Sequence, residues 1–243
     1  MTTLIYDGTW EGLLCAVFHV FAHREGEWSI RRGEAELPGL FPAEYAAVDA
    51  QKARRVEGGM KKLGRDVPEQ LYTAWLSEFE GVEDAIAGFM RVGFDEGIDP
   101  NINLLHPDVR LVRKAFQAAG WEAQRMRQFV RFVKAPGPVF VADIEPVCNV
   151  LTLIAAHFHG RFNDQRFIIR DIRRRLALIS RPEGWHISDL GQESLPPLPE
   201  DGAFEQMWRG YFKAISNPAR KNKKLQQKFI PLRYRAHLTE FQE

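Results

Sequence analysis

The chain has 243 residues, of which 45% are apolar and 27% are charged, as expected for one large or two small globular domains. No apolar run approaches the roughly 20 residues that a membrane-spanning helix needs. The N-terminus shows no basic leader followed by an apolar stretch, so a cytoplasmic location is expected. The two cysteines, Cys15 and Cys148, are isolated and predict reduced thiols packed as small hydrophobes. Their spacing excludes a zinc ribbon or an iron–sulfur cluster held by this chain, and no metal or cofactor is expected.

A strong charge asymmetry lies behind the net charge of +1. Residues 1–108 carry 10 Lys and Arg against 19 Asp and Glu, whereas residues 109–243 carry 23 against 13. This division predicts a surface for a polyanion in the C-terminal half. The alternative is that the two halves attract each other and nothing else binds.

The N-terminal part is predicted to be a helical layer, covering about residues 10–127. Residues 4–6 suggest a short strand, followed by a turn in which Asp7 or Thr9 caps a helix with an apolar stripe. His19 and His23 have metal-ligand spacing, but without a third ligand we interpret them as a half-exposed helix face. The stretch 28–39 is polar and turn-rich. Further helices are predicted at 43–63, interrupted near Gly58, and at 68–79, 82–94 and 107–117, the last extending to 127 if the pattern continues.

The basic island in this acidic half lies on and just after the helix predicted at 43–63. It is interpreted as a solvated helix face. Its members are Lys52, Arg54, Arg55, Lys61, Lys62 and Arg65.

Residues 128–190 predict a β-β-α-β-β core. A strand at 128–134 is followed by a Gly-Pro turn and a strand at 139–144, which together suggest a hairpin. A helix is predicted at 150–162, a strand within 166–179, and a last strand after a turn. The fold class is therefore α+β, with a small antiparallel sheet packed by helices from both ends of the chain. The whole chain, 1–243, is expected to form a single domain.

The C-terminal segment, about 203–243, is predicted to be helical and basic. Residues 206–239 contain no acidic residue and nine basic ones, with Phe229 and Tyr234 among them. Lysine and arginine bind phosphates, and aromatic rings can stack on bases. This composition favours contact with nucleic acid. The alternative is that Leu225, Phe229 and neighbouring apolar residues clamp a terminal helix onto the core.

Several motifs together resemble one family. They are the opening Tyr6-Asp7-Gly8-Thr9-Trp10-Glu11-Gly12-Leu13, the block 127–149, the pairs His157-Phe158, Arg161-Phe162 and Asp164-Gln165, Ile169 with Asp171, and the ending Arg220-Lys221-Asn222, Leu225-Gln226, Phe229, Pro231, Arg233-Tyr234 and Leu238-Thr239-Glu240-Phe241. They resemble an uncharacterised bacterial family of probable DNA-metabolism proteins. Members of that family occur beside a radical-SAM protein with a proposed role in DNA modification or repair, and some are fused to a uracil-DNA-glycosylase-like domain. The resemblance implies a DNA-binding accessory protein with a radical-SAM partner. No membrane partner is expected, because no apolar run is long enough to span a bilayer.

Two further functions remain open. The first is an enzyme that processes a nucleic-acid base or lesion, with His157 and either Asp171 or Glu145 in acid–base roles. The second is a protein-interaction scaffold that does not bind DNA. Against the enzyme, His157 can be a histidine at the core edge, and Asp171 can form a salt bridge with Arg173, Arg174 or Arg161. No glycine-rich phosphate loop, Ser-His-Asp signature or zinc-deaminase pattern is present.

The candidate nucleic-acid-binding residues share a cationic or aromatic side chain in the C-terminal half. They are Arg161, Arg170, Arg173, Arg174, Lys213, Arg220, Lys221, Lys223, Lys224, Lys228, Arg233 and Tyr234.

Overall fold

The computed structural model describes residues 2–23, 27–33, 43–97, 99–135, 137–191, 207, 230–235 and 237–238. The chain divides into two compact units, Met1–Ala119 and Gly120–Glu243. The elements in chain order are β1 (Thr2–Tyr6), α1 (Trp10–Ala22), β2 (Trp28–Arg32), β3 (Ala43–Tyr45), α2 (Ala50–Leu63), α3 (Val67–Trp75), α4 (Val82–Glu96), a 3-10 helix (Pro100–Ile102), α5 (Pro107–Phe129), β4 (Val133–Lys134), β5 (Val139–Ile144), α6 (Leu151–Arg161), β6 (Arg166–Asp171), β7 (Leu176–Arg181), β8 (Gly184–Asp189) and α7 (Leu232–Arg235). The described elements confirm the α+β class.

The first unit contains a three-stranded parallel sheet in the order β2-β1-β3. The sequence predicted β1 but treated the rest of this region as helices and turns, so the helical-layer prediction was incomplete. The segment Trp28–Arg32, predicted to be turn-rich, is a strand that pairs with β1 along its whole length. Its polar residues Arg31 and Arg32 concealed it, because only Ser29 and Ile30 are buried.

The junction of β1 and α1 is fixed by the opening motif. Thr9 caps α1 by accepting a hydrogen bond from the Gly12 amide at 2.9 Å, and its hydroxyl donates to Asp7 at 2.7 Å. A Cβ on Gly12 would lie 2.0 Å from Asp7 Oδ1, so a larger residue would displace the Asp7 carboxylate from its bond to Thr9. The predicted cap is confirmed, and the motif has a structural role at this turn.

Buried Tyr6 connects this junction to two helices of the same unit. Its hydroxyl accepts from Trp75 Nε1 at 3.0 Å and donates to Glu83 Oε1 at 3.1 Å. Burial, opposed in part by the hydrogen bonds from Trp75 and Arg32, raises the pKa of Tyr6. The phenol therefore stays neutral at ordinary pH.

The helices of the first unit differ from prediction at two places. Helix α2 begins at Ala50, with Asp49 as its cap, and continues through Gly58 without interruption. Its buried stripe, Ala53, Val56 and Met60, maintains the helix by tertiary packing despite the low helix propensity of glycine. Helices α3 and α4 lie where predicted. Helix α5 continues to Phe129, so the strand predicted at 128–134 is wrong except for Val133–Lys134.

The second unit contains a five-stranded mixed sheet in the order β4-β5-β6-β7-β8. Strands β5 and β6 are parallel, and the other neighbours are antiparallel. The expectation of an antiparallel sheet was therefore wrong at its centre, because α6 is a crossover connection between β5 and β6. The single strand predicted within 166–179 is a hairpin, β6 and β7, whose turn includes Arg175 at a positive φ of 56°.

The core of this unit is an aromatic cluster between α6 and one face of the sheet. The Phe132 ring meets those of Phe158, Phe162 and Phe167 edge to face, with centroids 5.4 to 5.7 Å apart. His159 on α6 also meets Ser180 of β7, with Nδ1 2.9 Å from the hydroxyl.

None of the described helices is long and apolar enough to cross a membrane.

Candidate nucleic-acid interface

The loop between β5 and α6, residues 145–148, is where several of the predicted residues meet. We call it the β5–α6 loop. Arg174 Nη1 donates to the Pro146 carbonyl at 3.0 Å, and its Nη2 donates to the Val147 carbonyl. Arg173 Nη1 lies 3.4 Å from the same Val147 oxygen, and the Arg173 side chain is exposed. The turn after β6 therefore places two adjacent arginines against this loop.

Asp171 orients Arg174. One carboxylate oxygen accepts from the Arg174 amide at 3.1 Å, and the other accepts from Arg174 Nη1 at 2.9 Å. Asp171 is fully buried and Arg174 nearly so. The interpretation of Asp171 as a salt-bridge partner is thus confirmed, with Arg174 as the partner.

Glu122 on α5 holds the β5–α6 loop from the other side. Its carboxylate accepts from the Val147 amide at 3.0 Å and the Cys148 amide at 2.7 Å. Burial acts to raise the pKa of Glu122, but the hydrogen bonds from Tyr234 and the two loop amides outweigh it and lower the pKa. Glu122 is therefore an ionised carboxylate inside the second unit.

The ending motif is attached to the same carboxylate. Tyr234 is 3% exposed and its hydroxyl donates to Glu122 Oε1 at 2.5 Å. Burial, and then the bond to Glu122, raise the pKa of Tyr234 to about 12. Arg233 Nη2 donates to the Tyr234 hydroxyl at 2.7 Å and lies 3.4 Å from Glu122, with the Arg233 side chain 47% exposed. The hydroxyl of the buried Tyr234 therefore holds Arg233, and stacking of its ring on a base stays a prediction.

The three candidate catalytic residues are not joined by hydrogen bonds in the described part of the chain. His157 is exposed on α6, and its ring lies against Phe158. Glu145 is 51% exposed, with His237 Nε2 3.7 Å from its carboxylate. Asp171 is held by Arg174. Their catalytic role stays a prediction.

Two predicted arginines lie apart from the β5–α6 loop. Arg170 is buried and bonds Asp143 through two nitrogens, at 2.5 and 2.8 Å, so its guanidinium is committed to a structural pair. Arg161 is exposed at the end of α6, at the opposite end of β6 from Arg173, and lies over the Phe162 ring.

Six predicted residues lie outside the described residues. They are Lys213, Arg220, Lys221, Lys223, Lys224 and Lys228.

No metal centre is found in the described part of the chain. No group of three or more His, Cys, Asp or Glu side chains there could hold a metal ion. His19 and His23 stack on each other with ring centroids 4.2 Å apart, and His19 Nε2 lies 3.3 Å from Glu44.

Sequence reasoning missed Glu122, which anchors both the β5–α6 loop and the ending motif. A signal for it exists in the sequence. Val112, Ala115, Ala119 and Met126 form the buried stripe of α5, and Glu122 falls on that stripe at helical spacing. A carboxylate on an apolar face requires donors, so the position marks a site where other parts of the chain must supply them.

The comparisons with known proteins give one match. No curated protein and no solved structure matches the chain. A family model described as a domain of unknown function, DUF4130, matches residues 80–240. This match covers more than half of the chain and includes the whole β5–α6 loop, Glu122 and the Arg233-Tyr234 pair. The resemblance to an uncharacterised family is confirmed at that level, and the chain belongs to the DUF4130 family.

Proposed function

We propose that this protein is a DNA-binding accessory protein in DNA modification or repair that acts beside a radical-SAM partner. The observation that carries the proposal is the placement of two exposed arginines in a positively charged unit. Arg173 lies against the β5–α6 loop, and Arg233 lies beside Glu122, which holds that loop. Residues 120–243 carry 20 Lys and Arg against 13 Asp and Glu. Residues 206–239, which include the Arg233-Tyr234 pair, carry nine Lys and Arg and no Asp or Glu.

The contacts around the β5–α6 loop suit phosphate binding by Arg173 and Arg233. A guanidinium binds a phosphate best when its direction is fixed beforehand, because less side-chain entropy is then lost on binding. Arg233 is fixed by Tyr234 and Glu122, and Arg173 lies against the loop that Glu122 and Arg174 hold. Arg174 and Arg170 are committed to Asp171 and Asp143 and have structural roles in this proposal.

The DNA chemistry is assigned to the partner. The family resemblance is the basis for a radical-SAM protein, and the present chain is proposed to hold the DNA for it. Arg161 and the C-terminal lysines would add sequence-independent phosphate contacts, which supply most of the affinity of non-specific DNA binding.

The test is binding to labelled single- and double-stranded DNA, measured by fluorescence anisotropy. Arg173→Glu should weaken binding several-fold. Arg65→Glu, an exposed change of equal charge in the first unit, serves as the control for net charge. Equal affinities for the two variants would remove the β5–α6 loop from the proposed surface. Co-purification of the wild-type chain with a radical-SAM protein tests the partner separately.

A further inference from the structure

A groove in the first unit lies between α1, α2 and α4, and the proposed phosphate contacts do not use it. Two adjoining cavities of about 420 and 360 Å³ share Phe21 and Phe94 in their walls. We call them together the α1–α2–α4 groove. Both volumes are in the range of small-ligand pockets. The groove has an apolar floor that includes Val17, Val56 and Met90, all of them buried.

Aromatic rings form the walls of the groove. Phe94 is 43% exposed and meets Phe21 edge to face, with ring centroids 5.9 Å apart. Phe18, half-buried, lies on the α2 side. The exposed part of the Phe94 ring offers a surface on which a flat apolar group can pack.

Cations stand at the rim. Arg55 Cζ lies 5.5 Å and Lys52 Nζ lies 5.9 Å from the centre of the Phe18 ring. Arg91 lines the opposite wall, next to Asp95. In the described part of the chain, Lys52 and Arg55 form no ion pair, whereas Lys61 on the same helix is paired with Glu57 at 2.8 Å. Within the described residues, Arg54 and Lys62 on the same helix form no ion pair either, so position beside the Phe18 ring is what distinguishes Lys52 and Arg55.

A solvated helix face accounts for part of this arrangement. A cation over an exposed aromatic ring contributes only about 0.5–1 kcal/mol. That contribution can explain why Lys52 and Arg55 lie over Phe18. It does not explain a cavity with an exposed Phe94 on the far wall and a second arginine beside it.

We infer that the α1–α2–α4 groove binds a nucleotide of single-stranded DNA, with the base against Phe21 and Phe94 and the phosphate at Arg55 and Lys52. A nucleotide combines a flat body with a negative charge attached at its side, which matches an apolar floor with cations on its rim. Bases stack on aromatic side chains without regard to sequence. Asp95 can accept a hydrogen bond from an N–H donor of the base, such as the N3–H of thymine. The inference rests on the proposed DNA-binding function and adds a second contact, in the acidic half of the chain.

Two adjacent glycines on α2 provide matched variants. A Cβ on Gly59 would lie 3.1 Å from the Phe94 ring, inside the groove, whereas a Cβ on Gly58 meets nothing within 4 Å. Gly59→Met should therefore fill the groove, and Gly58→Met should leave it open. Phe94→Ala removes the exposed ring and, because the ring is half exposed, should leave the fold intact. Arg55→Glu has a control in Arg54→Glu, an exposed position on the same helix outside the groove.

The probe is a fluorescein-labelled oligothymidylate of about ten nucleotides, which is within the range of known single-strand sites. We expect Gly59→Met and Phe94→Ala each to weaken its binding about tenfold, the scale of losing one stacked base. Arg55→Glu should weaken it several-fold. Gly58→Met and Arg54→Glu should bind nearly as the wild type does. A labelled polyglutamate peptide is measured in parallel and should bind weakly to all the variants.

The outcomes separate this inference from the function on which it rests. If Gly59→Met and Phe94→Ala both bind the oligonucleotide as tightly as the wild type does, the groove assignment is overturned and DNA binding stays in place. No wild-type binding of any DNA would overturn both. Tight binding of polyglutamate that Gly59→Met abolishes, with DNA binding unchanged, would assign the groove to an acidic protein partner and overturn the inference.

Discussion

Replacement of Glu122 by glutamine tests whether this carboxylate holds the β5–α6 loop and the ending motif together. The wild-type carboxylate accepts from the Val147 and Cys148 amides and the Tyr234 hydroxyl, and Arg233 lies 3.4 Å away. Hydrogen bonds to a charged group contribute about 1.5–3 kcal/mol each, and an unsatisfied buried donor costs about 1–3 kcal/mol. In the variant, the glutamine side chain keeps one acceptor oxygen, and its NH₂ group faces donors that the second carboxylate oxygen served. We expect Glu122→Gln to lower the free energy of unfolding by about 2–4 kcal/mol.

Urea unfolding of four proteins measures this effect. They are the wild type, Glu122→Gln, Tyr234→Phe and the double variant. Tyr234→Phe alone removes one hydrogen bond and should cost about 1 kcal/mol. Because the two side chains are in direct contact, the double variant should lose less than the sum, with a coupling energy of roughly 0.5–3 kcal/mol. Additive effects would refute the Glu122–Tyr234 bond as a stabilising contact.

The pH dependence gives an independent test of the same carboxylate. The pKa of Glu122 is lowered in the folded chain, so its contribution to stability is present above the ordinary glutamate pKa of about 4.3. This contribution is lost as pH falls through the lowered value. The stability difference between wild type and Glu122→Gln should therefore shrink below about pH 4. A difference that stays constant down to acid unfolding would contradict an ionised Glu122.

Three further outcomes are expected. Gly58→Ala should raise the free energy of unfolding by about 0.5–1 kcal/mol. Gly12→Ala should lower it, because the new Cβ would lie 2.0 Å from a carboxylate oxygen of Asp7. Thermal unfolding measures both variants, and equal effects would contradict the geometry. The tyrosinate absorbance of the wild type, compared with that of Tyr234→Phe, should show that Tyr234 stays protonated up to about pH 12. The stability that the Tyr234 hydroxyl contributes should be complete below pH 10 and should be lost as the pH rises through 12. Asp143→Ala should lower the free energy of unfolding by about 3–5 kcal/mol, because it leaves Arg170 buried without this partner. Adding Arg170→Met to the same chain should restore part of that stability. An equal or larger loss in the double variant would argue against the pair.

Helices were predictable from the sequence where one apolar stripe decides burial. The stripe of α1 and the cap at Thr9 are local features, and both predictions are confirmed. The interruption predicted near Gly58 was wrong because packing of Val56 and Met60 outweighs the low helix propensity of two glycines. In the same way, α5 continues past residue 128 because Met126 and Ala123 remain on its buried face.

Sheet organisation was less predictable, because strand partners are chosen over long sequence separations. Strand β2 pairs with β1 across more than twenty residues, and its exposed arginines conceal the strand pattern. The parallel pairing of β5 with β6 follows from a crossover through α6, whereas the Gly-Pro turn suggested only local hairpins. The hairpin β6–β7 depends on a turn with Arg175 at positive φ, which no glycine marks in the sequence.

Charge and motifs located the candidate interface in part. They directed attention to Arg173 and Arg174, which contact the β5–α6 loop, and to Arg233, which lies beside Glu122. They did not reveal which arginines are committed to buried carboxylates, because Asp143 lies 27 positions from Arg170. The role of Tyr234 as a buried hydrogen-bond donor likewise depends on Glu122, 112 positions away.

The most direct test of the account is DNA binding across a salt series by the wild type and by a variant with Lys221, Lys223, Lys224 and Lys228 changed to alanine. The account predicts that wild-type affinity falls by orders of magnitude between about 50 and 200 mM salt. The slope of log affinity against log salt should be shallower in the variant, by roughly 0.9 for each lysine that contacts a phosphate. No binding at low salt, or the same slope for both proteins, would contradict the proposal that the C-terminal half is a DNA-binding surface.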